Sequence, residues 1–467
     1  MQSCCVPLGD IVADLAIFLP RPATGVWTWY KRGGDVLVFI AISLSMAIFI
    51  GQEQIISRGD VVYWLLVGPS LLMPLLRFRQ TLENLLFGKA RPIAFFGIVS
   101  AVWLIIQRDF GAIPPVFLIV WVAGWACRDE VGISARAVFA LTLIFYSTGC
   151  ISFLMQPSYE EQPWLMQHIA PPEAAKGNSV ELALPEQDRD GLNINAWGIL
   201  PNQTAVAFQP WRISATPNIA TSGIFSLLIL LVIVRRFRPN PLEMATAASA
   251  LYFATLSFVR AVFVSLALFS ATIAIMSLLP QRPRLRVAVA LFMTIGITIL
   301  VALSPILLYS LQDWSIVSRM FLRGQTDMSA TDIYRQMYRP WLWGEHMKLF
   351  WSSPYLMGYG SELAASALKN IINAGQVRSD SVSFLTRMVA TYGIPAFGII
   401  VFLIERCYRH VKDNDVWAVA VLSVMVWLMM SWGSIFHPSN GMFALGFLLI
   451  GNGSQAFSRS KTCGEKE

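Results

Sequence analysis

The residues best suited to chemistry in this sequence are arginines that lie beside long apolar segments. A guanidinium presents several donors in one plane and can grip phosphate oxygens through two hydrogen bonds at once. A charge so close to hydrocarbon is costly, which makes it a functional candidate. Arg260 is the clearest case, because it stands in LSFVRAVF between two apolar runs with almost no loop to carry it into water. The other members of the set are Arg212, Arg319, Arg323, Arg335 and Arg339.

Each of these arginines also has a purely structural interpretation, in which the side chain reaches lipid headgroups or pairs with a nearby carboxylate. Several of them converging at one face of a membrane would instead form a clamp for an anion. The phosphate ligand expected at that depth is a lipid diphosphate.

Two side chains close to these arginines in the sequence could accept a proton. Asp380 follows Ser379 directly before an apolar run, and its alternative role is to cap the helix that begins there. His346 can titrate near neutral pH, although on an amphipathic helix it could equally be a surface residue. Glu345 beside it is a possible sugar contact or a solvated charge.

The stretch YRQMYRPWLWGEHMKLFWSSPYLMGYG is rich in aromatic residues and ends in two glycines. Trp341, Trp343 and Trp351 could stack on sugar rings, and they could also anchor the chain at the membrane interface or form the core of the loop. Gly358 and Gly360 predict a tight turn over the site.

The elements that must position these residues are membrane-spanning helices. Of the 467 residues, 55% are hydrophobic and only 13% are charged, whereas a soluble domain is about one quarter charged. A helix needs about 20 apolar residues to cross a bilayer, and about twelve runs approach this length. The runs lie near 35–51, 60–76, 91–107, 112–127, 133–155, 219–234, 241–258, 261–280, 286–310, 382–404, 415–432 and 438–454. We therefore predict an all-α, polytopic integral membrane protein.

Basic residues follow every second apolar run, and by the positive-inside rule those loops face the cytoplasm, as does the N-terminus. The net charge of +7 belongs mostly to these loops, so it predicts topology and gives no reason to expect nucleic acid. Two long polar segments, 156–218 and 311–381, then lie outside. The parts predicted are spans 1–5 in 1–155, a periplasmic loop in 156–218, spans 6–9 in 219–310, a large partly helical periplasmic loop in 311–381, and spans 10–12 with a cytoplasmic tail in 382–467.

No Walker loop and no Rossmann fingerprint occurs in a suitable context. Arginines alone could neutralise the charge of a diphosphate, so we expect neither a metal nor an organic cofactor.

Between about 205 and 405, the sequence resembles the O-antigen ligase and O-antigen polymerase (Wzy-type) family of bacterial surface-polysaccharide assembly. Four pieces in the family's order carry the resemblance. They are RISATPNIA with Arg212, LSFVRAVFVSLALF with Arg260, RPWLWGEHMKLFWSSPYLMGYG with Arg339, Trp343, Gly358 and Gly360, and SDSVSFLTRMVATYGIPAFG with Asp380.

The resemblance implies glycosyl transfer at the periplasmic face of the bacterial inner membrane. Donor and acceptor would be glycans on undecaprenyl diphosphate, and a chain-length regulator and export machinery would be partners. Arg260, Arg339 and Asp380 would be catalytic, with Asp380 as the base. Substrate contacts would come from Arg212, Arg319, Arg335, His346, Trp343, Gly358 and Gly360.

Many ligases of the family carry His-Asn where this chain has Ser379-Asp380. The Ser-Asp form resembles some polymerases, so we expect a polymerase that joins repeat units. The alternatives are a ligase, which would transfer finished glycan to a lipid A core or another acceptor, and a flippase or other transporter. A transporter of about twelve spans predicts internal repeats and ionisable residues deep in the spans. The sequence shows no such repeats, and its candidate residues lie near one boundary.

Overall fold

The computed structural model describes residues 78–127, 219–234, 241–257, 259–314, 338–360, 383–436 and 442–453, with isolated positions within 138–146 and 317–333. Every regular element in these residues is helical, which confirms the all-α class for this part of the chain. The first two predicted spans, the 156–218 loop, Arg212, Arg319, Arg335 and Asp380 lie outside the described residues.

The described residues contain twelve α-helices. These helices do not correspond one to one with the predicted spans. In chain order the helices are α1 (Phe78–Leu86), α2 (Arg91–Gln107), α3 (Ile113–Ala126), α4 (Ile219–Val234), α5 (Pro241–Leu256), α6 (Arg260–Leu278), α7 (Pro283–Ser310), α8 (Tyr338–Ser352), α9 (Phe384–Tyr392), α10 (Phe397–Lys412), α11 (Val416–Ser431) and α12 (Phe443–Gly451). Short 3-10 turns occur at Phe110–Ala112, Pro354–Leu356, Ile394–Ala396 and Gly433–Phe436.

Apolar run length predicts most of these helices closely, and it misses one break. The run predicted as a single span over 382–404 consists of α9 and the start of α10, separated by Gly393 and the turn Ile394–Ala396. Gly393 has a φ of 64° and a ψ of −142°, which only glycine adopts without strain. Pro395 follows in the turn and cannot donate a backbone hydrogen bond.

Two helices are long and apolar enough to cross a membrane, Ala261–Leu278 and Pro283–Ser310. The pair α1 and α2 would be a third span if it were counted as one, but the two helices meet at an angle of 88°. The helices α3, α4 and α11 are apolar but shorter. The described residues therefore contain two or three helices that could span a membrane.

The buried core centres on α11, most of whose side chains are buried. It packs against α6, α7, α10 and α12. Helices at the periphery instead expose apolar stripes with helical spacing, for example Phe95, Ile98 and Val102 of α2. Such exposed apolar faces suit a lipid environment rather than water.

Contacts gather the helix ends into two groups. One group, here called the site end, contains Gln107, Ala261, the end of α11 at Met430, and the segment from α8 to Gly360. The other, here called the basic end, joins the α6–α7 turn to the α10–α11 turn through Arg286 and Asn414. It also joins α3 to the end of α12, where Asn452 donates to the carbonyl of Ala126. These are the sets of turns that the alternation of basic loops assigns to opposite sides.

Candidate functional site

The two arginines predicted to be catalytic have described backbones, whereas their side chains lie outside the description. Arg260 is the first residue of α6, and only residues 257–259 separate it from α5. The predicted very short turn is therefore correct. Arg339 is the second residue of α8, seven positions before His346, so the two positions lie on one stripe of that helix about two turns apart.

Two tryptophans attach the beginning of α6 and the middle of α8 to the last two turns of α11. The indole N–H of Trp427 donates to the carbonyl of Ala261, next to Arg260, over 3.3 Å. The indole N–H of Trp343 donates to the carbonyl of Met430 over 3.0 Å. Because 427 and 430 are one helical turn apart, the backbones of α6 and α8 approach the same end of α11.

Trp343 is only 6% exposed, so of its three predicted roles the structure supports the core of the loop. Trp351, on the last turn of α8, is 66% exposed. Of the two tryptophans whose side chains are described, Trp351 is the one that could meet a sugar ring or a headgroup. Glu345 is also buried, and its carboxylate is 2.7 Å from the ammonium of the exposed Lys348. The expectation that Glu345 is a solvated charge is wrong, because α8 packs this face against the protein.

His346 is the central polar residue of α8. It is 2% exposed, so the surface alternative for it is wrong. Its Nδ1 lies 2.9 Å from the hydroxyl of Thr386 on α9. That hydroxyl donates its only proton to the hydroxyl of Ser383 over 2.7 Å. His346 must then donate from Nδ1, because Thr386 has no second proton to offer.

Burial, helped by the nearby positive charge of Arg387, lowers the pKa of His346 from 6.5 to about 3. His346 lies on α8, in the 311–381 segment outside the predicted spans. With this low pKa, the imidazole of His346 is neutral at pH 7. A proton acceptor whose conjugate acid has so low a pKa is weak, since general bases work best with a pKa near the working pH. His346 is thus suited to hydrogen bonding rather than to accepting a proton.

The Gly358–Gly360 segment forms the predicted tight turn. Both glycines have positive φ, 79° and 76°, and so do Tyr355 and Leu356 just before them. A Cβ on Gly358 would overlap the carbonyl of Thr391. The turn therefore lies directly on the end of α9, where the N–H of Tyr359 donates to the carbonyl of Ala390 over 3.2 Å.

Three elements clamp this turn and the beginning of α9. Gln107, the last residue of α2, donates from its side chain to the carbonyl of Gly358 over 3.3 Å. A Cβ on Gly360 would lie 2.9 Å from a carboxylate oxygen of Asp109. Gly433 packs its Cα against the backbone of Ser383 and Phe384. Ser383, three positions after Asp380, is thereby fixed against the turn Gly433–Phe436 that follows α11.

Sequence reasoning missed Ser383, Thr386, Arg387 and Gln107. Arg387 could have been found, because it is a charge inside a predicted span near its outer boundary, and such a charge is a functional candidate. The hydroxyls carry no such signal, since Ser and Thr in a helix most often bond the preceding turn. Within the described ranges, no group of three or more His, Cys, Asp or Glu side chains could hold a metal ion.

No model of a known protein family matches the chain, and no curated protein of known function matches it either.

Proposed function

We propose that this chain is a polysaccharide polymerase of a bacterial inner membrane. It would join oligosaccharide repeat units carried on undecaprenyl diphosphate at the periplasmic face. One observation carries the proposal: the segments that hold Arg260, Arg339 and the beginning of α9 all meet around one end of α11. The Gly358–Gly360 turn packs on the other end of α9. These segments are far apart in sequence, and they belong to three of the four pieces that resemble the Wzy-type family.

In the proposed reaction, a hydroxyl oxygen of the acceptor glycan attacks the anomeric carbon of the donor glycan. The bond from that carbon to the diphosphate oxygen breaks, and the lipid diphosphate leaves with the electron pair. Asp380 takes the proton of the attacking hydroxyl. Because a diphosphate is already a good leaving group, the enzyme mainly has to stabilise the charge that develops on it.

Arginines supply that stabilisation. Arg212, Arg260 and Arg339 hold the diphosphate, and Arg319 and Arg335 bind more peripheral parts of the substrates. Donors preorganised in a site with little water are worth about 2.7–4 kcal/mol each by comparison with other oxyanion sites. Metal-independent transfer follows from this assignment.

His346 and the Gly358–Gly360 turn position the site. The bond from His346 to Thr386 ties α8 to the helix that begins just after Asp380. Trp343 keeps α8 against α11. The neutral imidazole makes Asp380 the better candidate for the base.

The direct test uses the purified protein in liposomes with an undecaprenyl-diphosphate-linked repeat unit, followed by sizing of the glycan products. We expect a ladder of multimers that survives a chelator, because no step uses a metal. Products that stay at one repeat unit while a lipid A core acceptor becomes glycosylated would mean a ligase. Movement of the lipid-linked glycan across the bilayer without any lengthening would mean a transporter. Either result would overturn the polymerase.

The arginine clamp is tested with Arg260→Ala and Arg339→Ala. Each should lower the rate of polymerisation about 10²–10³-fold, the usual cost of removing one oxyanion donor. Arg409→Ala is the matched control, because Arg409 pairs with Glu405 at the basic end and should tolerate the change. Wild-type chain length from either clamp variant would exclude the clamp.

The base is tested with Asp380→Asn, since asparagine can still cap a helix but cannot accept a proton. We expect polymerisation to fall about 10²–10⁴-fold, with the amount of folded protein unchanged. Full activity of this variant would leave Asp380 with the capping role.

A further inference from the structure

The helix α1 stands at the basic end of α2 and lies across it. Four residues separate the two helices, and their axes meet at 88°. With 17 residues, α2 is about 25 Å long, close to the thickness of the hydrocarbon core. If α2 crosses the bilayer, α1 runs along the plane of the membrane at the surface where α2 begins.

Around its circumference, α1 has three different stripes. Thr81 and Leu85 are buried, and Leu85 packs on Gly124 of α3. Arg79 and Glu83, also four residues apart, form an exposed ion pair of 3.0 Å.

The third stripe is apolar and lies between the buried and the charged ones. It consists of Phe78, Leu82 and Leu86, each four residues from the next. Phe78 is 44% and Leu86 38% exposed, and Leu82 is half-buried. Such a helix suits the membrane surface. Its buried stripe meets protein, its apolar stripe meets acyl chains and its charged stripe meets water.

The charges near the bend favour an anionic surface. Arg79, Lys89 and Arg91 stand within 13 residues of one another against the single acid Glu83. Arg91 is exposed and is the first residue of α2. A cation there is opposed by the helix dipole, and a headgroup phosphate would compensate for this. The alternative, α1 as part of a broken span, would place the Arg79–Glu83 pair and Asn84 in hydrocarbon, which is costly.

We propose that α1 is an in-plane helix that rests in the interfacial layer of the leaflet at the basic end. Phe78, Leu82 and Leu86 face the acyl chains, and Arg79 and Arg91 face the phosphates of anionic phospholipids. The inference depends on α2 crossing the membrane and is independent of the glycosyl-transfer proposal.

The test places a nitroxide spin label at single cysteines in the otherwise cysteine-free protein, in vesicles of phosphatidylethanolamine and phosphatidylglycerol. Collisions with oxygen report lipid, and collisions with a water-soluble nickel chelate report water. We expect oxygen to dominate at positions 82 and 86 and the chelate to dominate at 79 and 83. Position 85 should be protected from both and serves as the matched control on the same helix.

Three results would overturn the in-plane assignment. Oxygen dominance at 83 as well as 86 would mean a broken or re-entrant span. Chelate dominance at 86 would mean a helix in water. Protection of 82 and 86 from both reagents would mean that another part of the chain covers the stripe.

The anionic headgroup is tested by measuring the depth of the label at 86 in vesicles of phosphatidylcholine. The label should lie shallower there than in vesicles with phosphatidylglycerol. Arg79→Gln combined with Arg91→Gln should produce the same shift in the anionic vesicles, whereas Arg409→Gln, which breaks another i,i+4 pair, should not. Equal depth in both vesicles would overturn the headgroup contact.

Discussion

At the scale of single residues, the buried chain from His346 through Thr386 to Ser383 is the best-defined polar feature of the site end. It joins two helices from different segments through hydroxyls that can each donate one proton. Thr386 gives its hydroxyl proton to Ser383 and can therefore only accept from His346. His346 must then carry a proton on Nδ1. Because burial also lowers its pKa, the residue that looked like a base is held as a neutral hydrogen-bond donor.

Thr386→Val should destabilise the protein by about 1–3 kcal/mol, because it leaves the buried Nδ1–H of His346 without its acceptor. Thr386→Ser keeps the hydroxyl and should cost much less. The measurement is the unfolding midpoint of each variant in detergent, followed by tryptophan fluorescence. Equal midpoints for the valine and serine variants would show that the hydrogen bond contributes nothing.

The low pKa of His346 predicts a dependence of stability on pH. Because the folded pKa, about 3, lies below the ordinary value of 6.5, the unfolded chain takes up a proton between these values and the folded chain does not. The stabilisation is complete above about pH 6.5 and is lost as the pH falls toward 3, by about 2 kcal/mol at pH 5. The drop in the unfolding midpoint from pH 7.5 to pH 5 should shrink in His346→Gln. An unchanged drop would contradict the assignment.

At the scale of elements, the break between α9 and α10 allows the Gly358 turn to sit where it does. Gly393 meets the backbone of Leu356 and Met357, and Gly358 meets that of Thr391. Each glycine has positive φ and a neighbour where a Cβ would be. The two turns fit together only because both lack a side chain at the contact.

Gly393→Ala should therefore be strongly destabilising, by more than about 1–3 kcal/mol, because the strained backbone and the overlap with Leu356 add together. Gly296→Ala is the matched control. Gly296 lies inside α7 with no atom within 4 Å of an added Cβ, and alanine there should be neutral or stabilising by up to about 1 kcal/mol. Equal yields of folded protein and equal unfolding midpoints for the two variants would contradict the tight fit of the turns.

At the scale of the whole molecule, the described helices form a bundle with two chemically different ends. Arg286 closes the basic end by donating to the carbonyls of Leu279 and Pro280 and to the side chain of Asn414. The site end carries the Gly358 turn and the exposed side chains of Trp351 and Tyr355. If the bundle spans a membrane, these ends face opposite compartments.

Single cysteines in a cysteine-free background test this arrangement. A membrane-impermeant maleimide should label Tyr355→Cys in intact spheroplasts and Asp413→Cys only after permeabilisation. Phe292→Cys, on the exposed apolar face of α7, should stay unlabelled in both, because a thiol in hydrocarbon does not ionise. Labelling of positions 355 and 413 from the same side would contradict a spanning bundle.

The sequence by itself determined the helical class, most helix bounds and the short turn before Arg260, because these depend on local properties such as the length of an apolar run. The Gly358–Gly360 turn was predictable for the same reason, since backbone freedom is a property of the residue. Only the tertiary structure decided that His346 and Glu345 are buried, that Thr386 bonds to both His346 and Ser383, and that Gln107 reaches Gly358 across 251 positions. Those contacts join residues distant in sequence, and they follow from how helices pack rather than from any pattern along one of them.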